Sequence, residues 1–236
     1  MKKLVVITGA SKGIGKSLAQ QFAAEGFSLA LCSRTEADLQ QLQHELTQTH
    51  PEIEVHIRST DVSKKDEVLA LAEMVTETGI PVEVLINNAG VFIPGQIYQE
   101  EEGALEKQIE TNLYSAYHLT RALLPAMIDA KRGHIFNICS TASITAYTNG
   151  GSYCISKFAM LGMSKVLREE MKPHNIRVTS ILPGATLTNS WASSDLPESR
   201  FMPPEDVAEV VLNAYRLSDR TVVEEILMRP QLGDIG

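Results

Sequence analysis

Short apolar runs alternate along this chain with longer stretches in which apolar residues return every third or fourth position. The first run, Leu4-Val-Val-Ile-Thr8, is apolar without interruption up to its threonine. Such a run suits a strand covered on both faces, as in a parallel sheet between two layers of helices. Further segments rich in apolar residues at 27–32, 82–86, 133–139 and 176–182, with the more polar 54–60, predict five more strands, and 221–228 predicts a last one.

The intervening stretches carry the helical period. Residues 16–25 form the first such stretch, and Leu39, Leu42 and Leu46 share a face of the second, which Pro51 closes. Val68, Leu71, Ala72 and Val75 do the same in a third, stopped by Gly79 and Pro81. A long helix is expected over 100–130, with Ile109, Leu113, Ala116 and Tyr117 on one stripe. Another runs from Tyr153 through Phe158, Leu161 and Val166 to Met171, and Pro204 opens one bearing Val207, Val210, Val211 and Ala214. Thr35 with Asp38 predicts a capping-box-like start for the second helix, and Ser63 a cap for the third. Regular alternation of strand and helix predicts an α/β fold, a doubly wound, Rossmann-like parallel sheet with helices on both faces. No linker, repeat or low-complexity tract intervenes, so residues 1–236 are read as one domain.

Composition narrows the function classes. The chain is 44% hydrophobic and 21% charged, which is the make-up of a globular protein able to bury a core. A net charge of −8 gives no general attraction to phosphate backbones or anionic lipid, so neither nucleic acid nor membrane is an expected partner. The apolar run behind Met1-Lys-Lys ends at Thr8-Gly9, too soon for a secretory core. Cys32, Cys139 and Cys154 lie in apolar segments and read as free thiols of a reducing, cytoplasmic compartment. The six histidines have no ligand spacing, and no metal site is expected.

The first strand leads into Thr8-Gly-Ala-Ser-Lys-Gly-Ile-Gly15 and then directly into a helix. A glycine-rich turn in that context lets backbone approach a pyrophosphate, while the helix end offers N–H groups and a positive dipole. This makes Gly9, Ser11, Lys12, Gly13, Ile14 and Gly15 candidate dinucleotide contacts. A carboxylate about 20 residues further on would hold a ribose 2′-hydroxyl. This chain has Ser33 and Arg34 there, and Lys12 adds a second cation, so a 2′-phosphate and hence NADP(H) is expected.

The fourth strand runs into Asn87-Asn-Ala-Gly90, small and amide residues suited to a ligand crevice at a strand's carboxyl end. Tyr153 and Lys157 lie four apart, one above the other if helical. A neighbouring cation makes a phenol a readier proton donor to a reacting oxygen. The long irregular stretch 185–202, with Trp191, suits a loop at the mouth of an active site, where the indole could stack on a flat ring.

Taken in order and spacing, several motifs resemble the short-chain dehydrogenase/reductase family across essentially the whole chain. They are the 8–15 turn, Asp61, Asn87–Gly90, Asn112, Ser140 ahead of Tyr153, Lys157, and Pro183-Gly184 with Thr188. The resemblance implies that Tyr153 gives a proton to the substrate oxygen, Ser140 hydrogen-bonds that oxygen, and Lys157 holds the nicotinamide ribose. It implies that Asn112 anchors a water-borne proton relay to Lys157. Asp61 and Val62 would contact the adenine, Asn88, Ala89 and Gly90 the adenosine side, and Pro183, Gly184 and Thr188 the carboxamide. Where the family often has two serines, this chain has Cys139-Ser140, with Thr141 and Ser143 as nearby hydroxyls.

The carboxyl-terminal stretch 220–230, with Pro183-Gly184-Ala185 and Trp191, is most similar to bacterial sepiapterin-reductase-type members, which reduce side-chain ketones of pterins. The rival readings are a 3-oxoacyl thioester reductase or another ketone/alcohol oxidoreductase of the same family, and a non-enzymatic NADP-binding regulator. The resemblance also implies a homodimer or homotetramer formed through the two long helices.

Overall fold

The computed structural model describes residues 2–188, 191 and 194–235. Its strands are β1 (Leu4–Thr8), β2 (Ser28–Ser33), β3 (Val55–Ser59), β4 (Val82–Asn87), β5 (Gly133–Ile138), β6 (Ile176–Pro183) and β7 (Glu225–Met228). They form one sheet in the order β3-β2-β1-β4-β5-β6-β7, every neighbouring pair parallel. β1, β2, β5 and β6 are buried over almost their whole length because both faces are covered, whereas the edge strands β3 and β7 are partly exposed. Val5 and Ile7 pack with α1 (Gly13–Ala24), α2 (Glu36–Thr49) and α7 (Pro204–Arg216), through Leu18, Phe22, Leu39, Leu42, Val207 and Val211. Leu4 and Val6 face α3 (Lys65–Glu77), α5 (Ser115–Ala130) and α6 (Gly151–Met171), through Val68, Leu71, Leu119, Leu123 and Leu167. Chain order reverses between β1 and β4, and the carboxyl ends of strands at such a reversal are the usual ligand position in such sheets.

Several expectations are corrected. The first helix starts at Gly13, so the last residues of the glycine turn form its first turn. No capping box forms at Thr35, because the Asp38 carboxylate turns to Lys12, its Oδ2 lying 2.9 Å from the lysine Nζ. Ser63 does not cap the third helix, which begins after Lys64; its hydroxyl donates to Asp61 Oδ1 at 2.8 Å instead. The last strand is confined to four residues, 225–228.

The helix expected over 100–130 begins only at α4 (Ala104–Ile109), after Gly103 in a left-handed conformation at φ +86°. A π-helical turn, Glu110–Tyr114, then joins α4 to α5. A π turn holds one residue more than an α turn and rotates everything beyond it around the axis. The expected stripe holds at buried Ala116 and at Leu113, which packs on a core cluster, but Tyr117 is exposed, and Asn112 and Leu119 are buried.

Candidate active site

The glycine turn is built by close approach. Gly9 and Gly13 adopt φ +65° and +51°, a region that side chains other than glycine's enter only with strain. Gly15 needs its missing side chain for another reason. A Cβ there would lie 2.7 Å from Asn88 Nδ2, 2.9 Å from the Gly9 carbonyl carbon, and closer still to the carbonyl oxygen. Asn88 Nδ2 donates to Thr8 O at 2.8 Å and Gly9 O at 3.1 Å, while Thr8 Oγ1 accepts from the N–H groups of Asn88 and Ala89. The turn and the loop after β4 are thus one hydrogen-bonded unit. Thr8 belongs to it although the sequence reading gave it no role.

Beside this turn lies a groove of about 420 Å³ lined by Gly13, Lys16, Ser17, Leu187, Thr188 and Glu205, among others. The Thr188 methyl lies 2.9 Å from where a Gly13 Cβ would stand, so these two residues close on each other. Ser11 and Ile14 are half-buried, Ile14 against the core. Ser33 ends β2, and Arg34 is exposed just beyond it. Lys12 reaches the same corner through Asp38, so a carboxylate does stand there, contributed by the first turn of α2.

Asp61 accepts hydrogen bonds from the Ser63 hydroxyl at 2.8 Å and the Ser63 N–H at 3.1 Å; the first of these leads in holding its carboxyl below the usual carboxylate range. The Asp61 N–H donates to Glu67 Oε2 at 2.6 Å, and Val62 is buried behind it.

Lys157 and Tyr153 share a side of α6, with Lys157 Nζ 5.8 Å from the centre of the tyrosine ring. Lys157 is almost wholly buried, only 5% of the residue being exposed, and its ammonium donates to the Ile138 carbonyl at 2.9 Å. It therefore lies at the end of β5, two residues before Ser140. A Cβ on Gly90 would stand 3.3 Å from Asn112 Oδ1 and 3.6 Å from Lys157 Nζ, so Gly90, Asn112 and Lys157 converge.

Asn112 is buried in the π turn. Its Oδ1 accepts from the Val91 N–H at 2.7 Å, and its Nδ2 donates to Val91 O and to Ser156 Oγ, both at 2.9 Å. The amide thus pins the loop after β4 to the catalytic-helix candidate. A π turn at such a position is a frequent companion of functional sites, and no residue pattern announced it.

Ser140 caps a short 3-10 turn, Thr141–Ser143, and its Oγ accepts from the Ala142 N–H at 3.1 Å. The Ser143 hydroxyl accepts from the Ser140 N–H at 3.2 Å and is buried, which leaves Ser140 the accessible serine of the two. Cys139 behind it is buried, and burial pushes its thiol up; Cys32 is likewise pushed up to about 12. Phe92, from the loop after β4, meets the Tyr153 ring edge-on with centroids 4.8 Å apart. The burial of Tyr147, with Tyr153 and Cys154 beside it, raises its phenol.

Pro183 ends β6, and the Gly184 N–H donates to Met228 O at 2.8 Å. The 185–202 segment is tied at its base by Leu187 N–H to Met202 O at 2.8 Å. Trp191 packs against Phe201 with ring centroids 5.2 Å apart, a contact within the loop. Among the described residues there is no cluster of potential metal ligands, and no helix is long and apolar enough to cross a membrane.

Residues 3–198 match the family model described as short chain dehydrogenase. The chain is 36% identical to sepiapterin reductase of Chlorobaculum tepidum, the match covering 100% of this chain and 99% of that protein. Among solved structures it is similar to an alcohol dehydrogenase of the archaeon Thermococcus sibiricus complexed with 5-hydroxy-NADP, at a TM-score of 0.92, 28% identity and full coverage of both chains. A metagenomic short-chain oxidoreductase in complex with NADP superimposes at a TM-score of 0.85, with 31% identity over 97% of each chain.

Proposed function

The chain belongs to the short-chain dehydrogenase/reductase family of oxidoreductases, and on that footing we propose that it is an NADPH-dependent reductase of ketones. The observation that carries this reading is the buried Lys157 ammonium, 5.8 Å from the Tyr153 ring and bonded to the end of β5.

The residues present suit NADP(H). Gly9, Gly13 and Gly15 let the turn fold tightly onto Asn88, Ala89 and Thr188 and lead into the start of α1, whose free N–H groups suit a pyrophosphate. Arg34 supplies positive charge where a 2′-phosphate would lie, Lys12 could add its own on leaving the Asp38 carboxylate 2.9 Å away, and Asp61, held ionised, can accept from an adenine amine. Asn88, Ala89 and Gly90 would line the adenosine side with Val62, while Pro183, Gly184 and Thr188 would receive the carboxamide. When bound, the coenzyme supplies the hydride that reaches the carbonyl carbon.

The chain's own residues handle the oxygen. Ser140 Oγ donates a hydrogen bond to it, and Tyr153 transfers its phenolic proton to it as negative charge develops. Donors fixed in advance at the place where charge appears give the largest electrostatic benefit. Lys157 stabilises the phenolate that remains, and a proton returns to Tyr153 through water held near Asn112 and Lys157. Phe92 keeps the phenol ring from turning away.

For substrate, the 36% identity to a sepiapterin reductase supports a side-chain ketone on a flat ring such as a pterin. Trp191, packed on Phe201, is assigned to loop closure over that substrate rather than to ring stacking. Exposed Tyr114, Tyr117 and Phe158 support pairing with further copies through α5 and α6, as a homodimer or homotetramer. The charge, the buried thiols and the lack of a spanning helix among the described residues support a cytoplasmic setting.

The test is coenzyme oxidation with sepiapterin, a vicinal diketone and an acetoacetyl thioester, run with NADPH and NADH side by side. Turnover of sepiapterin with NADPH is expected. Turnover of the thioester alone would replace the substrate assignment, and no turnover of any carbonyl would remove the reductase reading.

A further inference from the structure

The catalytic-helix candidate begins with two glycines, Gly150-Gly151, and a carboxylate 52 residues from Ser152 in sequence is lodged against them. Glu100 Oε1 accepts the Ser152 N–H at 2.8 Å, and Glu100 Oε2 accepts the Ser152 hydroxyl. The pocket that receives it leaves no space for side chains. A Cβ on Gly151 would lie 2.7 Å from Gly95 O, 2.9 Å from Glu100 Cδ and closer still to Glu100 Oε1; one on Gly95 would lie 2.5 Å from Glu100 Cγ. The same loop is stitched to the residues just before the helix by Gly95 N–H to Asn149 O at 3.0 Å and Gln96 Nε2 to Asn149 Oδ1 at 3.2 Å.

This joint connects two structures that both touch Tyr153. On one side, Ser152 is its immediate neighbour in the first turn of α6, where N–H groups have no intrahelical partner and an anion is favoured. On the other, the loop from Val91 to Glu100 carries Phe92 onto the Tyr153 ring, and Asn112 fixes the loop's other end at Val91. The loop is therefore fastened at both ends around the phenol, by an amide at one and a carboxylate at the other.

We propose that Glu100 is a positioning residue for the proton donor: by bonding Ser152 it fixes the first turn of α6 and the Phe92 loop together, and so fixes the direction of the Tyr153 hydroxyl. The proposal rests on the reading of Tyr153 as the acid. Hydrogen bonding rather than charge is the working feature. A glutamine can accept the Ser152 N–H and donate to the Ser152 oxygen in the same shape.

The test compares Glu100→Ala, Glu100→Gln, Gly151→Ala and Tyr153→Phe in the full chain, with whichever carbonyl the wild type turns over. Glu100→Ala is expected to lower kcat at least tenfold, with the NADPH Kd within about twofold of wild type. Glu100→Gln should restore kcat to within about threefold. Gly151→Ala should resemble Glu100→Ala, because the added methyl displaces the carboxylate, even though alanine suits a helix better than glycine. Without coenzyme or substrate, hydrogen exchange of the Ser152 amide should be faster in Glu100→Ala and close to wild type in Glu100→Gln. An unchanged kcat in Glu100→Ala overturns the proposal, as does a fall that glutamine does not rescue or one matched by loss of NADPH binding. Turnover in Tyr153→Phe sinks the acid reading and this proposal with it, whereas an inert Tyr153→Phe beside an active Glu100→Ala sinks the positioning role alone.

Discussion

Replacing Gly15 by alanine sets two effects of opposite sign against each other. Gly15 lies inside α1 and its φ is outside the left-handed region, so helix propensity alone predicts a gain of about 1 kcal/mol. Packing predicts a loss. The new methyl would stand 2.9 Å from the Gly9 carbonyl carbon and nearer to its oxygen, and 2.7 Å from Asn88 Nδ2. These atoms cannot easily retreat, because Asn88 is bonded to Thr8 and Gly9, and the next residue, Ala10, donates to Cys32 O at 2.9 Å. Overpacking against fixed backbone costs about 1–3 kcal/mol, and this site belongs at the upper end. The net loss is about 2 kcal/mol, or a fall in melting temperature of about 4–8 °C for a domain of this size.

The assay is thermal unfolding with and without NADPH, paired with Gly162→Ala as an internal control. Gly162 is exposed in α6, and a Cβ there meets nothing within 4 Å. That substitution should raise the midpoint by about 2–4 °C from propensity alone. Gly15→Ala should also lose most of the shift that NADPH confers. An unchanged or raised midpoint in Gly15→Ala, with NADPH stabilisation intact, would refute the close-approach account of the turn.

Further expectations concern coenzyme choice and pH. Arg34→Ala should weaken NADPH binding by about tenfold or more, as expected for a charge-assisted contact, and leave NADH binding nearly unchanged; equal losses for both would remove the 2′-phosphate role. His134 is fully buried, and its Nε2 lies 2.7 Å from Thr179 Oγ1, whose proton goes to Val223 O, so Nε2 carries the hydrogen and Nδ1 is bare. Burial, with help from Arg177, holds this imidazole well below its ordinary 6.5. A depressed value means the unfolded chain takes up the proton first. The stabilising contribution of neutral His134 is thus complete above about pH 6.5 and declines as pH falls toward the folded value. Denaturant titrations from pH 7.5 to 5 should show this decline, and His134→Gln should flatten it; an identical slope in the variant would refute the assignment.

The inner strands were legible because burial on both faces leaves few polar positions in them, as in Leu4–Thr8, polar only at its last residue. Tyr153 and Lys157 were legible for a similarly local reason, since a helix brings residues four apart together whatever surrounds it. What escaped depends on contacts between distant segments. Asp38 and Ser63 each fit a helix cap by local rules, yet each is taken by a tertiary partner, Lys12 and Asp61. The π turn around Asn112 buries that amide, and Tyr117, expected on the apolar stripe beyond it, is exposed. Glu100 was invisible as a site residue because its partner, Ser152, is 52 positions away, and the glycines that admit it carry no side chain to mark the place.

The proton donor is the central claim, and Tyr153→Phe tests it most directly, since it removes one oxygen and leaves the ring against Phe92 and the helix unchanged. With steady-state turnover and NADPH titration measured on the same preparation, kcat should fall by about 10²–10⁴-fold, the range general acid catalysis contributes, while the NADPH Kd stays within about threefold of wild type. Turnover near the wild-type rate in that variant would contradict the account.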